Sequence, residues 1–465
     1  MKEADPVPVN DQNTRQDEPK VWLKSHMGAI LKTLLLFYCM FNFGLQQEII
    51  GPSVPTLVNK TDSSFTQMGR ALACKSAGLL FGAFIGGAVG DRIKFYRRDF
   101  ALSLCMISTS IEFFFVSYVT EVWHVGLILF CIGVSHSVIQ SIINVNLSEL
   151  WHGRSGPAFN FIFTGLGIGA IFAALLMKNF TINEDGLDEN HPHGMVNLML
   201  PFTVTSSLAF VAAVLAFVYF AIGIYEDNKA ATSVYAVTEE EKLKAKMEKE
   251  NNSNSLMRCL KKMSLLFLPD FSVSEEHVKV YVIVPFVMFF LYGIERVIGS
   301  YLFSYLVNSK VQFTTHNALF TVFLFWLCFT IGRIVFLGLS SFIVISYLCL
   351  FATAGTLVSF ITFSVIESTQ TNIYTAIFFV SFFSGALFPS FIASVDQVMR
   401  ITGLLIMCVE IGGSFGAIVL NQVIGYVMDT GLKEYYPISL TITAAGLIIF
   451  TIIFITFVEI MRRKK

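Results

Sequence analysis

Polar and ionisable side chains recur inside long apolar runs of this chain, and their types and spacing are the first guide to its chemistry. His136, Gln140 and Asn144 fall at i, i+4 and i+8, which stacks an imidazole and two amides on one helical face. Each group both donates and accepts, so the set suits a hydroxyl-rich ligand; the competing reading is hydrogen-bonding glue between packed helices. Gln46-Gln47-Glu48 follows Gly44 and precedes Gly51-Pro52, where a softened helix would free backbone groups for a solute, or where a helix end is simply capped. Tyr292, Glu295 and Arg296, with Tyr301 and Tyr305 beyond, offer aromatic faces for a ring and a charged pair, against the plainer reading of a structural Glu/Arg contact. Lys75 lies at a depth comparable with Glu48, and an ion pair between them would lock two helices. Glu112 and Glu410 are isolated carboxylates in apolar runs, either proton carriers or partners for the buried cations. Asn421, beside Gln422, is a further candidate ligand contact.

The elements that hold these groups follow from composition. A soluble domain carries about a quarter charged residues, whereas this chain of 465 residues is 14% charged and 54% hydrophobic, with a mean hydropathy of +0.66. Stretches long enough to cross about 30 Å of hydrocarbon fall at 29–55, 66–90, 99–119, 125–150, 156–177, 197–224, 280–306, 316–338, 341–363, 373–395, 401–427 and 436–460. The expectation is an all-α polytopic membrane protein of twelve transmembrane helices in two six-helix bundles, 29–226 and 280–460. A polar segment at 227–279, rich in Lys and Glu, separates them, and short tails occupy 1–28 and 461–465.

Orientation follows from the Lys/Arg bias of the loops. With the amino terminus in the cytoplasm, Arg92, Lys94, Arg97, Arg98, Arg154, Arg333, Arg400, the central segment and both tails share one side, leaving Lys60, Arg70, Lys178, Lys310 and Lys433 opposite. Sequons at Asn59 and Asn179 then fall outside, as candidate glycosylation sites, while those at Asn146 and Asn251 are silent. The first 26 residues are polar, so a cleaved signal peptide is not expected and the first span inserts itself. Seven of the eight cysteines lie in apolar runs, and no disulfide framework is implied. A net charge of −1 argues against a nucleic-acid partner. No His-Glu-x-x-His motif or paired Asp occurs within the spans, so neither an enzyme nor a metal site is expected. An ion channel would want a re-entrant filter segment, and none is visible.

After the second span the chain reads Gly86-Gly87-Ala88-Val89-Gly90-Asp91-Arg92-Ile93-Lys94 and then Arg97-Arg98. This resembles the cytoplasmic signature of the major facilitator superfamily, Gly-x-Leu-x-Asp-Arg with further basic residues, in which small residues let helices touch and the charged pair gates the cytoplasmic side. Gly332-Arg333, closing the eighth span, reads as a degenerate second copy. Phe289 to Glu295 with Tyr305, Phe325-Trp326, Thr330-Ile331-Gly332-Arg333, Asn144, Trp151-x-Gly153, Gly51-Pro52, Gly385, Phe388-Pro389 and Ile401-Thr402-Gly403 resemble the branch that contains the sodium-dependent glucose transporter 1 proteins. Gln140 stands where that branch commonly has Asp, and Phe163 where it commonly has His. The resemblance implies two bundles around a central cavity lined by the first, fourth, seventh and tenth spans, the last supplying Ser381, Ser384 and Ser390. It implies a secondary transporter that moves glucose or a related hexose by alternating access, with sodium or a proton as the coupling ion and no other cofactor. The alternatives are an ion-independent uniporter of another small polar solute and a non-transporting membrane sensor. The expected setting is a monomer in the lipid bilayer of the plasma membrane, with a sugar as its small-molecule partner and both termini cytoplasmic.

Overall fold

In hydrocarbon no water is available to the backbone, so each crossing segment must satisfy its own N–H and C=O groups, and a helix does this within one segment. A computed structural model describes residues 27–93, 95–151, 155–180, 196–235, 277–308, 311, 313–340, 342–366, 369–399, 402–430 and 432–464, and twelve helical spans there are long and apolar enough to cross a membrane. In order, the first six are Met27–Glu48 with Ile50–Lys60, Phe65–Arg92, Phe95–Val116, Val122–Leu150, Ser155–Lys178 and Met199–Tyr235. The second six are Val278–Asn308, Thr315–Leu339, Ile345–Val365, Gln370–Gly385 with Leu387–Asp396, Gly403–Asp429 and Tyr435–Lys464. The starts of the second, eighth, tenth and eleventh are fixed by side-chain caps from Ser64, Thr314, Thr369 and Thr402.

Two spans that read as single runs are each two helices, and proline explains both. Pro52 and Pro55 lack the N–H that would bond the carbonyls of Glu48 and Gly51, and the first span bends at Ile49. Pro389 likewise withholds a donor from Gly385, and the tenth span breaks at Ala386. The sixth helix continues to Tyr235, beyond the sequence boundary at 226. The N-terminal tail and the Lys/Glu-rich central run lie outside the described residues.

The pairing pattern reveals an internal repeat. In the first half, span two packs on four, three on six, and one on five; in the second, eight packs on ten, nine on twelve, and seven on eleven. Adding six to each number in the first set gives the second. The halves meet through span two against eleven and five against eight, again equivalent contacts, and through one against seven. Glycine permits the closest approaches: a Cβ on Gly82 or Gly86 would run into Val134 or Ser141 of the fourth span, and one on Gly332 into the Phe382 carbonyl of the tenth.

Candidate functional site

Where the bundles meet, the fourth span sends one side chain across. Gln140 Nε2 donates to Glu410 Oε1 at 2.6 Å and to the Tyr292 hydroxyl at 3.2 Å, tying span four to spans eleven and seven. All three residues are buried, and Glu410 has no ion-pair partner among the described residues. The Tyr292 ring stacks on Phe388 (centroids 5.4 Å apart, planes at 19°), just past the break in span ten, and Phe388 meets Phe163 edge-on at 5.1 Å. Arg296 also sits over the Tyr292 ring, 5.6 Å from its centre. Glu295, half-buried, lies close enough to Glu410 and Arg333 to act on them electrostatically.

A second polar locus opens beside this seam. Gln47 and Glu48 at the bend of span one, Lys75 of span two, Arg296 of span seven and Asn421 of span eleven line a cavity of about 20 Å³, room for a water or two. The expected ion pair between Glu48 and Lys75 does not form: among the described residues neither joins a pair within 4.0 Å, because each faces the shared cavity. Glu48 Oε2, Gln47 Oε1, Arg296 Nη1 and Asn421 Oδ1 are buried without a hydrogen-bond partner.

The single helical face read from His136, Gln140 and Asn144 divides its partners. His136 Nε2 meets Gln46 Oε1 at 2.9 Å and packs against Phe43, and Gln46 Nε2 donates to Thr109 Oγ at 3.3 Å, so these two polar groups bond within the first bundle. Asn144 is buried one turn beyond Gln140. Glu112 accepts from Ser108 on its own helix at 2.6 Å and lines neither the seam nor the cavity. Tyr301 donates to the Asn421 carbonyl at 3.4 Å and Tyr305 stacks on Tyr436, both within the second bundle. Ser381 returns its hydroxyl to carbonyls of its own helix.

Arg333 departs furthest from expectation. It does not close the eighth span; it lies inside Thr315–Leu339 and is buried. Its Nε donates at 3.0 Å to the Gly385 carbonyl, the group Pro389 leaves without an intrahelical donor, and its Nη1 donates at 2.9 Å to the Phe163 carbonyl of the opposite bundle. The guanidinium also stacks over Phe329 at 4.4 Å. In the first-half motif, Gly87 is buried, Gly90 touches Val145, Arg97 is exposed over Tyr96, and Arg98 is held by Glu149 (2.8 and 3.0 Å) and Asn146 (3.2 Å). The side chains of Asp91 and Arg92 lie outside the described residues. Asn59 and Asn179 are exposed at the ends of their helices, and Asn146 is buried.

Three polar contacts were not picked out from sequence. Lys32 pairs with Asp99, joining spans one and three, with Tyr219 of span six beneath the ammonium at 4.8 Å; a lysine inside an apolar run was the available signal. Thr109 is a small polar residue among many. Asp429, the last residue of span eleven, accepts from the backbone N–H of Phe65 (2.8 Å) and Thr66 (2.6 Å), capping span two of the other bundle. Gly51 abuts Gly299 beside the cavity, and nearer that cap Gly69 faces Tyr301 and Asn421, so the bundles are sealed from the cavity toward the end carrying the turn at 61–64.

Two six-helix bundles with the same packing pattern meet across buried polar groups, and residues 36–417 match the model of the Major Facilitator Superfamily; the chain belongs to that family. It is a transporter, not an enzyme. Among curated relatives it is 22% identical to mouse (Mus musculus) sodium-dependent glucose transporter 1A, covering 86% of this chain and 89% of that protein. It is 19% identical to major facilitator superfamily domain-containing protein 4A of Xenopus tropicalis, covering 88% and 89%. Among solved structures it superposes on a D-xylose-proton symporter with a TM-score of 0.62 at 10% identity, covering 92% and 97%, and on the xylose transporter XylE from E. coli, in a partially occluded inward open conformation, with 0.62 at 12%, covering 89% and 96%. At that identity the likeness is one of fold.

Proposed function

We propose that this transporter carries a sugar, glucose or a related hexose, by rocking its two bundles about the seam of Gln140, Tyr292 and Glu410. The observation that carries the reading is the concentration of buried polar groups where the bundles meet: the Gln140 amide bonded across to Glu410 and Tyr292, with the Glu48, Lys75 and Arg296 cavity alongside. Amides, a phenol and carboxylates are the donors and acceptors that hydroxyl groups need, and the Tyr292 and Phe388 rings offer flat faces to a pyranose. Relatives named for glucose and structural neighbours named for xylose support the same class. The water-sized cavity must widen to admit a hexose, as alternating access requires.

Coupling enters if an ion and the sugar favour the same conformation, each then raising the other's apparent affinity. Glu410 has only neutral bonded partners, so a proton can reside on it without breaking an ion pair, which suits it to carry the coupling ion. The Lys/Arg bias supports cytoplasmic termini, and the sequons at Asn59 and Asn179, then outside, favour a plasma-membrane setting. The test is uptake of labelled glucose into proteoliposomes under an inward sodium gradient, a proton gradient, and neither. Accumulation above equilibrium with one ion identifies a symporter, equilibration alone a uniporter, and no flux in any arm removes the glucose assignment.

A further inference from the structure

The cavity between spans one, two, seven and eleven holds more charge than its own contacts use. Its walls present two cations, Lys75 and Arg296, against one carboxylate, Glu48. Lys75 is 8% exposed, and its ammonium forms no ion pair among the described residues. Arg296 Nη1 has no hydrogen-bond partner, and the acceptors Glu48 Oε2, Gln47 Oε1 and Asn421 Oδ1 are equally unmatched although all three residues are over nine-tenths buried. The other charged groups nearby do not line the cavity: Glu410 is held by Gln140, Arg333 is spent on two backbone carbonyls, and Glu295 stands behind the wall, close enough to act electrostatically on both Tyr292 and Glu48.

Buried polar groups are paired in folded proteins, and a cluster left unpaired at a bundle interface marks a place where a ligand supplies the partners. We infer that this cavity recognises a hydroxylated solute bearing one carboxylate, a sugar acid. The carboxylate meets Lys75 and the guanidinium of Arg296, whose planar fork takes two carboxylate oxygens at once. Hydroxyl groups donate to Glu48, Gln47 and Asn421. One negative charge on the solute balances the single positive excess of the walls, whereas a neutral hexose leaves Lys75 uncompensated. This rests on the proposed reading that a sugar-like solute enters at the bundle interface, and it narrows that class.

The test uses the full chain in proteoliposomes, with uptake of labelled D-glucuronate and labelled D-glucose measured side by side. Unlabelled D-glucuronate and its neutral isostere D-glucuronamide serve as competitors. The inference expects saturable glucuronate uptake and competition by the acid at a concentration at least about tenfold lower than by the amide. Lys75→Gln should abolish that preference. Equal competition by acid and amide, or movement of glucose without glucuronate, overturns the inference and leaves sugar transport standing. If neither sugar moves through protein that unfolds cooperatively on heating, both readings fall. The wild-type competition decides the matter even if Lys75→Gln does not fold.

Discussion

Gly51→Ala should hold the sealed end open. Gly51 lies just past the bend of the first span, and a Cβ built there would overlap the Gly299 carbonyl oxygen of the seventh span and stand 3.0 Å from its carbon, inside ordinary van der Waals contact. The obstructing atoms are backbone, so no rotamer change relieves the clash; only separation of the two bundles does. Overpacking of this kind costs about 1–3 kcal/mol, and because the clash exists only in the closed arrangement, the population should shift toward the open one by about 5- to 150-fold. Alanine is also the better helix former, so the first span itself should not be weakened. Spin labels on cysteines at Lys60 and Leu432, one on each bundle at this end, would report the change in a pulsed electron-resonance distance measurement. The expected result is a longer mean distance with slower transport, and no change for Gly338→Ala, where an added Cβ meets nothing within 4 Å. An unaltered distance distribution with wild-type transport in Gly51→Ala would refute the view that this glycine contact seals the bundles.

The same interface yields further expectations. Asp429→Ala removes the acceptors for the Phe65 and Thr66 amides and should cost about 0.5–2 kcal/mol, as lost helix caps do, visible as faster hydrogen exchange of the peptide spanning 62–70; unchanged exchange would contradict the cap. Arg333→Lys keeps the charge but cannot reach both carbonyls from one planar fork, so it should cost the worth of one charged hydrogen bond, about 1.5–3 kcal/mol, seen as a lower unfolding temperature. Wild-type stability and transport in that variant would show that the two bonds to Gly385 and Phe163 do not matter. Glu410→Gln preserves the shape and one hydrogen bond to Gln140 while removing the titratable group, and it should flatten the pH profile of uptake without abolishing solute binding. A profile identical to wild type would remove Glu410 as a proton carrier.

Much of the architecture is legible in the residues themselves, because burial of backbone in lipid leaves helices as the only option for twelve long apolar runs. What periodicity could not reveal is where those runs break. Pro52, Pro55 and Pro389 were visible, yet whether a proline bends a helix or divides it depends on which group takes the freed carbonyl, and for Gly385 that group is Arg333. The place of Arg333 inside the eighth span was hidden for the same reason: a Gly-Arg pair near the end of an apolar run looks like a loop signature until span ten packs against it. His136 and Gln140 share a face by spacing but point to different bundles, since helices on both sides compete for that face. Contacts such as Asp429 with Phe65 and Thr66 join residues more than 360 positions apart, and nothing local in sequence encodes them.

Passage of a sugar through the bundle seam can be followed by counterflow of labelled D-glucose in proteoliposomes preloaded with unlabelled sugar, for wild type and Gln140→Leu. The proposed function predicts a transient accumulation of label in the wild type that is absent with L-glucose and strongly reduced in Gln140→Leu. Label entry that is equal for both enantiomers and untouched by Gln140→Leu would contradict it.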